Sequence, residues 1–111
     1  MKYEKFEELL GEAAKFQSEY RLFARLVGMG PGIRARLKEM NYKDFRYDYL
    51  VGDDLLVEIQ GSGYSHSGKG QIRDMRKNND ALKQGYRVAV FPASLVKSRP
   101  DIVVEDILEM I

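Results

Sequence analysis

Apolar residues recur at steps of three and four through the first quarter of the chain: Phe6, Leu9, Leu10, Ala13 and Ala14, then Phe16, Tyr20, Phe23 and Val27. That is the period of one face of an amphipathic helix, and it predicts a helix over residues 3–27, with Gly11 as a point where it can break in two. Gly28-Met29-Gly30-Pro31-Gly32 ends it, because glycines cap a helix and Pro31 cannot continue one. The period then changes. Ile33-Arg34-Ala35-Arg36-Leu37-Lys38 alternates apolar and basic, which predicts a half-exposed strand with a basic face. A helix from Pro31 to Met40 is the alternative, since every residue there tolerates one. After a turn at Asn41-Tyr42-Lys43-Asp44, two apolar and aromatic strands, residues 45–50 and 55–61, flank Gly52-Asp53-Asp54. A Gly/Ser loop, residues 61–70, leads into a helix over about 71–84, with Ile72, Met75, Asn79 and Leu82 as its inward stripe. Gly85 ends that helix, residues 86–91 form a strand closed by Pro92, and Ser98-Arg99-Pro100-Asp101 opens a last helix with Val103, Val104, Ile107, Leu108 and Ile111 on its apolar side. The expected architecture is an α/β (α+β) single domain with an αβββαβ core. A three-stranded antiparallel meander is joined by a fourth strand, flanked by helices and closed by a C-terminal helix.

The hairpin carries an anomaly. Each of its strands has a carboxylate in its interior, Asp48 in one and Glu58 in the other. A strand interior buries at least one face, and an unpaired buried carboxylate is costly. Two of them close together are costlier unless positive charge lies between them. A divalent metal is the simplest such charge. Asp48 stands opposite Glu58 only across an odd loop, with Val51 facing Leu55; a two-residue loop would put them on opposite faces.

Composition narrows the setting. The chain has 111 residues, enough for one modest core. It has no cysteine, which excludes disulfides, thiolate metal sites and a cysteine nucleophile. No apolar run is long enough to cross a membrane, and the first residues lack the layout of a signal peptide. A soluble intracellular protein is expected. Net charge is only +1, so any nucleic-acid signal lies in where the charges fall. Lys69, Arg73, Arg76, Lys77, Lys83 and Arg87 cluster after the carboxylates, against only Asp74 and Asp80, and Arg34, Arg36 and Lys38 form a second basic row. Both rows suit phosphates, which position a nucleic acid without specifying its sequence.

Six short motifs in order resemble the core of the PD-(D/E)XK nuclease superfamily, in particular small stand-alone phage and bacterial members related to very-short-patch-repair endonucleases. Ser18-Glu19 is similar to the acidic position on their first helix. Arg46-Tyr47-Asp48-Tyr49 is similar to their Arg-aromatic-Asp-aromatic strand, and Val57-Glu58-Ile59-Gln60-Gly61 to their Glu-x-x-Gly strand end. His66 falls in a Gly- and His-containing loop. Asp74-Met75-Arg76-Lys77-Asn78 resembles their Asp-x-x-Lys-Asn helix, and Gly85-Tyr86-Arg87-Val88 their Gly-aromatic-Arg-Val strand. Each motif alone is weak; their order is more specific.

The resemblance implies a restriction-endonuclease-like fold and Mg²⁺-dependent hydrolysis of DNA phosphodiesters, with Mn²⁺ able to substitute. Asp48, Glu58 and the backbone carbonyl of Ile59 would supply oxygen ligands, and Glu19 an outer acidic one. Gln60 departs from the pattern, since the superfamily usually has lysine there; glutamine can orient water but carries no charge. Lys77 is the candidate replacement, on a helix face shared with Asp74, Asn78 and Ala81. His66 would act as general acid or phosphate contact, and Arg34, Arg36, Lys69, Arg73 and Arg76 as DNA contacts. A bacterial or phage-infected cytoplasm is the implied location. Structure-selective resolvases of this superfamily dimerise, and apolar residues on the last helix, or Tyr3 and Phe6, could serve such a dimer. The competing expectation is a DNA-binding domain that lost the lysine and no longer cuts.

Overall fold

The structure, a computed structural model, describes residues 3–61 and 68–111; the side chain of Lys69 lies outside that description. In chain order the elements are α1 (Glu4–Ala13), β1 (Phe16–Arg21), α2 (Ala24–Val27), α3 (Ile33–Glu39), β2 (Arg46–Val51), β3 (Leu55–Gln60), α4 (Gly68–Lys83), β4 (Arg87–Pro92), α5 (Ala93–Ser98) and α6 (Pro100–Met110). The four strands form one sheet in the order β1-β2-β3-β4. The first three run as an antiparallel meander, and β4 joins β3 in parallel.

The sheet is covered on both faces, so the molecule is a three-layer sandwich with two cores. On one face Phe6 and Leu10 of α1, Val96 of α5 and Val103, Val104 and Ile107 of α6 pack on Tyr49, Val51, Leu55, Val57, Ala89 and Phe91. On the other, Ala24 of α2, Ile33 and Leu37 of α3 and Ala81 of α4 pack on Tyr20, Tyr47, Leu50 and Leu56, with Phe45 and Tyr86 beside them. Tyr49 Oη donates to Glu7 Oε2 at 2.6 Å, tying α1 to β2, and the Tyr20 and Tyr86 hydroxyls meet at 2.6 Å between β1 and the turn after α4. Burial and the acidic partner push the Tyr49 hydroxyl pKa upward, so it stays a donor. Leu56, the second residue of β3, has no exposed surface. Leu56→Ala should cost about 2–5 kcal/mol, readable as a lower urea midpoint at unchanged slope.

The long N-terminal helix expected over residues 3–27 is replaced by α1, β1 and the single-turn α2. Ala14 is already extended, and Phe16–Arg21 pair antiparallel with β2. The four-residue spacing of Phe16 and Tyr20 suits a helix, yet in β1 the two side chains enter opposite cores. Pairing decides between them: β2 is aromatic and would otherwise present an open edge. The same ambiguity misleads at 33–38, which is α3 and not a strand. Ile33 and Leu37 face inward, four apart, and the meander's first strand is β1 instead. The alternative helix over Pro31–Met40 is the one observed, entered through Gly32 at φ 84°. Arg36 favours it, because only on a helix does its guanidinium reach back to the carbonyls of Val27, Gly28, Met29 and Pro31.

The stripe expected to point inward from α4 points outward: Ile72, Met75 and Leu82 are all largely exposed. The face turned to the sheet carries Asp74, Lys77 and Ala81. α5, which precedes the last helix, is not evident from the pattern. Phe6, expected to be free for a dimer, is buried under α6, and Tyr3 packs against the same core.

Candidate metal and phosphate site

The meander determines how the two carboxylates meet. Val51 pairs with Leu55, Leu50 with Leu56 and Tyr49 with Val57, across the three-residue loop Gly52-Asp53-Asp54. This is the odd-loop register expected from the sequence; the ladder ends at Tyr49 and Val57, and just beyond it Asp48 lies close enough to Glu58 to act on its carboxyl. Asp48 Oδ2 accepts the backbone N–H of Ile59 at 2.7 Å, which fixes the carboxylate beside the end of β3.

The strand is irregular at that point. Alternate residues of a regular strand share a face. Here Tyr47 and Leu50 pack in one core, Tyr49 and Val51 in the other, so the face switches at Asp48. Opposite it, Phe16 packs against one core and Tyr20 in the other, with Glu19 between them at φ 51°. The ladder pairs Ser18 with Tyr49 and Tyr20 with Tyr47, and skips Glu19 and Asp48. Left-handed backbone at a residue with a Cβ costs roughly 1–2 kcal/mol, and persists where the surrounding structure dictates it. Here the two pairs that flank it do so.

α4 closes the site from above. Lys77 Nζ donates to Glu58 Oε2 and lies 4.1 Å from the centre of the Tyr47 ring. Its side chain is 13 % exposed and that of Glu58 25 %. Tyr47 Oη donates to Asn78 Oδ1 at 2.8 Å, which pins the helix over β2. A cavity of about 330 Å³ opens between helix and strand ends, lined by Glu58, Ile59, Gln60, Asp74, Lys77 and Asn78, with Gly61 and Val90 at its margin. Burial pushes the Glu58 carboxyl up to about 7; the Lys77 ammonium opposes the rise and Asp48 adds to it. The Tyr47 hydroxyl is driven upward by burial, then by Glu58, so it too stays protonated.

The sign of the Glu58 shift has a consequence for stability. Its ordinary value is 4.5, so between about pH 4.5 and 7 the folded chain keeps a proton that the unfolded chain has released. Stability from this group is full below the unfolded value and lost as pH rises through the folded one. At about 1.4 kcal/mol per unit, the loss is on the order of 3 kcal/mol. In EDTA, the urea midpoint of the wild type should fall between pH 5 and pH 8, and Glu58→Gln should flatten that slope. Equal slopes in the two proteins would contradict the assignment.

The structure brings together Asp48, Glu58, Ile59, Gln60 and Lys77. It does not bring in Glu19, which is exposed, sits on β1 and not on the first helix, and has no side-chain hydrogen bond or ion pair among the described residues. Its strained backbone belongs to the ladder at Asp48. His66 lies outside the described residues, as does the side chain of Lys69. Arg36 is committed to the loop before α3, so it is not a free phosphate contact. Arg34 is open to solvent, with a long contact to Asp44 at 3.9 Å. Arg73 and Arg76 are exposed on α4. Arg87 is held by Asp54 and the carbonyl of Met110. Asp74 and Asn78 line the cavity although the sequence motifs give neither a role in the site; the helix face they share with Lys77 is the signal for them.

The donor set suits a hard cation. Mg²⁺ is typically held by one or two carboxylates, with water and a substrate phosphate completing the shell. Asp48, Glu58 and the Ile59 carbonyl match that requirement. Among the described residues no group of three His, Cys, Asp or Glu side chains stands together, so the set is not an all-protein cage. No helix among the described residues is long and apolar enough to cross a membrane. A scan against protein-family models returns no match, and no curated protein or solved structure matches the chain either.

Proposed function

We propose that this chain is a Mg²⁺-dependent DNA endonuclease of the restriction-endonuclease-like type. The observation that carries this reading is the cluster at the end of the hairpin: Glu58 and Lys77 pair on one cavity, and Asp48, bound to the Ile59 N–H, lies close enough to raise the Glu58 carboxyl. Such a cluster is unfavourable for folding: it raises Glu58 and buries a lysine. Perturbed groups of this kind concentrate at functional sites. When bound, Mg²⁺ would supply Lewis acidity at the phosphate and acidify a water. Asp48 and Glu58 would hold it with the Ile59 carbonyl. Lys77, which lines the same cavity and pairs with Glu58, would supply the fixed positive charge that Gln60 lacks. Gln60, at the rim, orients water through its amide. Exposed Arg34, Arg73 and Arg76 are available to the DNA backbone.

A second reading is favoured by one observation. Gln60 is uncharged and Lys77 already neutralises Glu58, so a domain that binds DNA without cutting is chemically coherent. Cleavage assays with Mg²⁺ or EDTA on linear duplex, mismatched duplex, single strand and four-way junction separate the two. Mg²⁺-dependent cutting supports the nuclease; binding to all substrates with no cutting supports the second reading. Symmetric cutting of the junction would identify a resolvase, which acts as a dimer. On that reading Leu108 and Ile111 at the C-terminal end, both partly exposed, are available to a second copy.

A further inference from the structure

On the other flank of α4 lies a second recess, of about 250 Å³, lined by Lys43, Phe45, Ile72, Arg73 and Arg76. Its charge is one-sided. Lys43, Arg73 and Arg76 are exposed, and none has an ion-pair partner among the described residues. The carboxylate next to Lys43, Asp44, is engaged instead by Arg21 at 2.7 Å, and the one next to Arg73, Asp74, lines the other cavity. The interior is apolar: Phe45 forms the floor, 3 % exposed, and Ile72 a wall, 60 % exposed. Arg73 lies over that floor, its guanidinium carbon 5.3 Å from the Phe45 ring centre.

Three unpaired cations around an apolar hollow fit a ligand with a planar apolar part and a negative charge. A guanidinium resting on an aromatic ring offers its outer face to another planar group. Paired duplex DNA presents only phosphates to such a surface, and would leave the Ile72 wall and the Arg73 face unused. An unstacked nucleotide uses both, its phosphate on the cations and its base on Arg73 and Ile72. Resting on the DNA reading above, we infer that this recess binds one unstacked nucleotide. The preferred substrate is then DNA with an unpaired base near the cut, as in a flap, mismatch or junction.

The test is binding in EDTA, where nothing is cut, so its outcome is independent of catalysis. Deoxyadenosine monophosphate should shift the Ile72 methyl and Phe45 ring NMR signals and bind about tenfold or more tighter than inorganic phosphate. Ile72→Ser, on an exposed position, should remove that preference and leave phosphate binding in place. Arg76→Ala should weaken both ligands. A duplex with one unpaired nucleotide should bind about tenfold tighter than the fully paired duplex, and Ile72→Ser should erase the difference. Equal affinity for the nucleotide and for phosphate, or a preference untouched by Ile72→Ser, overturns the inference. Cutting without nucleotide binding refutes the recess alone; nucleotide binding without cutting refutes the nuclease alone.

Discussion

Asp48→Asn and Glu58→Gln should each lower Mg²⁺-dependent DNA cleavage by about a thousandfold or more, roughly 4 kcal/mol of transition-state stabilisation. Both replacements keep shape and hydrogen bonding and remove one negative charge. In Asp48→Asn the side-chain amide oxygen can still accept the Ile59 N–H that Asp48 accepts at 2.7 Å, so the strand end is preserved. What is lost is a hard anionic donor, and two such donors are close to the minimum that holds Mg²⁺. Stability should move the other way in Asp48→Asn. Asp48 helps to raise the Glu58 carboxyl, and its removal relaxes that carboxyl toward its ordinary value. The variant should gain about 1 kcal/mol near pH 8 in EDTA. Loss of activity with gain of stability is the signature of a pair kept for chemistry. Cleavage that survives both substitutions would remove the metal site from this hairpin.

Lys77→Met should cut the turnover number by about 10²–10³ with little change in KM, the scale seen when one preorganised charge is removed from a site. Methionine retains the length that covers the Tyr47 ring, 4.1 Å from the ammonium, so the helix should keep its seat. Glu58 loses the partner that holds its carboxyl down, and the activity that remains should shift to higher pH. The decisive variant is the double substitution Lys77→Met with Gln60→Lys. Residue 60 opens on the same cavity as residue 77, so a lysine there can return the missing charge. At least tenfold recovery over Lys77→Met is expected. If Lys77→Met alone cuts at the wild-type rate, the cation comes from elsewhere.

The α/β class, the three-stranded meander with its fourth strand and the closing helix are legible in the sequence, and so is the approach of the hairpin's two carboxylates. A hairpin with a carboxylate in each strand is unfavourable by simple electrostatics, and period-two geometry converts that into one register, which β2 and β3 adopt. Lys77 is legible because helical spacing joins it to Asp74, Asn78 and Ala81. Glu19 is misplaced by the helical period of the segment that carries it, which folds as a strand. The outward stripe on α4 misleads for a related reason. Where a helix covers a polar site, its inward face holds the polar residues, and the usual inside-apolar rule inverts.

The sequence by itself determined the condition that Asp48 can face Glu58 only across an odd loop, the ends set by Gly28, Gly85 and Pro92, and the absence of thiol chemistry. These follow from covalent geometry and charge, which act locally. Tertiary structure alone decided between helix and strand at Phe16–Arg21 and Ile33–Glu39, because strand pairing and core packing, not local spacing, settle each segment. It also decided which face of α4 looks inward, the commitment of Arg36 to carbonyls, and the union of Lys43 and Phe45 with Ile72, Arg73 and Arg76 in one recess. Those outcomes depend on which edge needs a partner and which surface needs a cover, and no local window of residues carries that information.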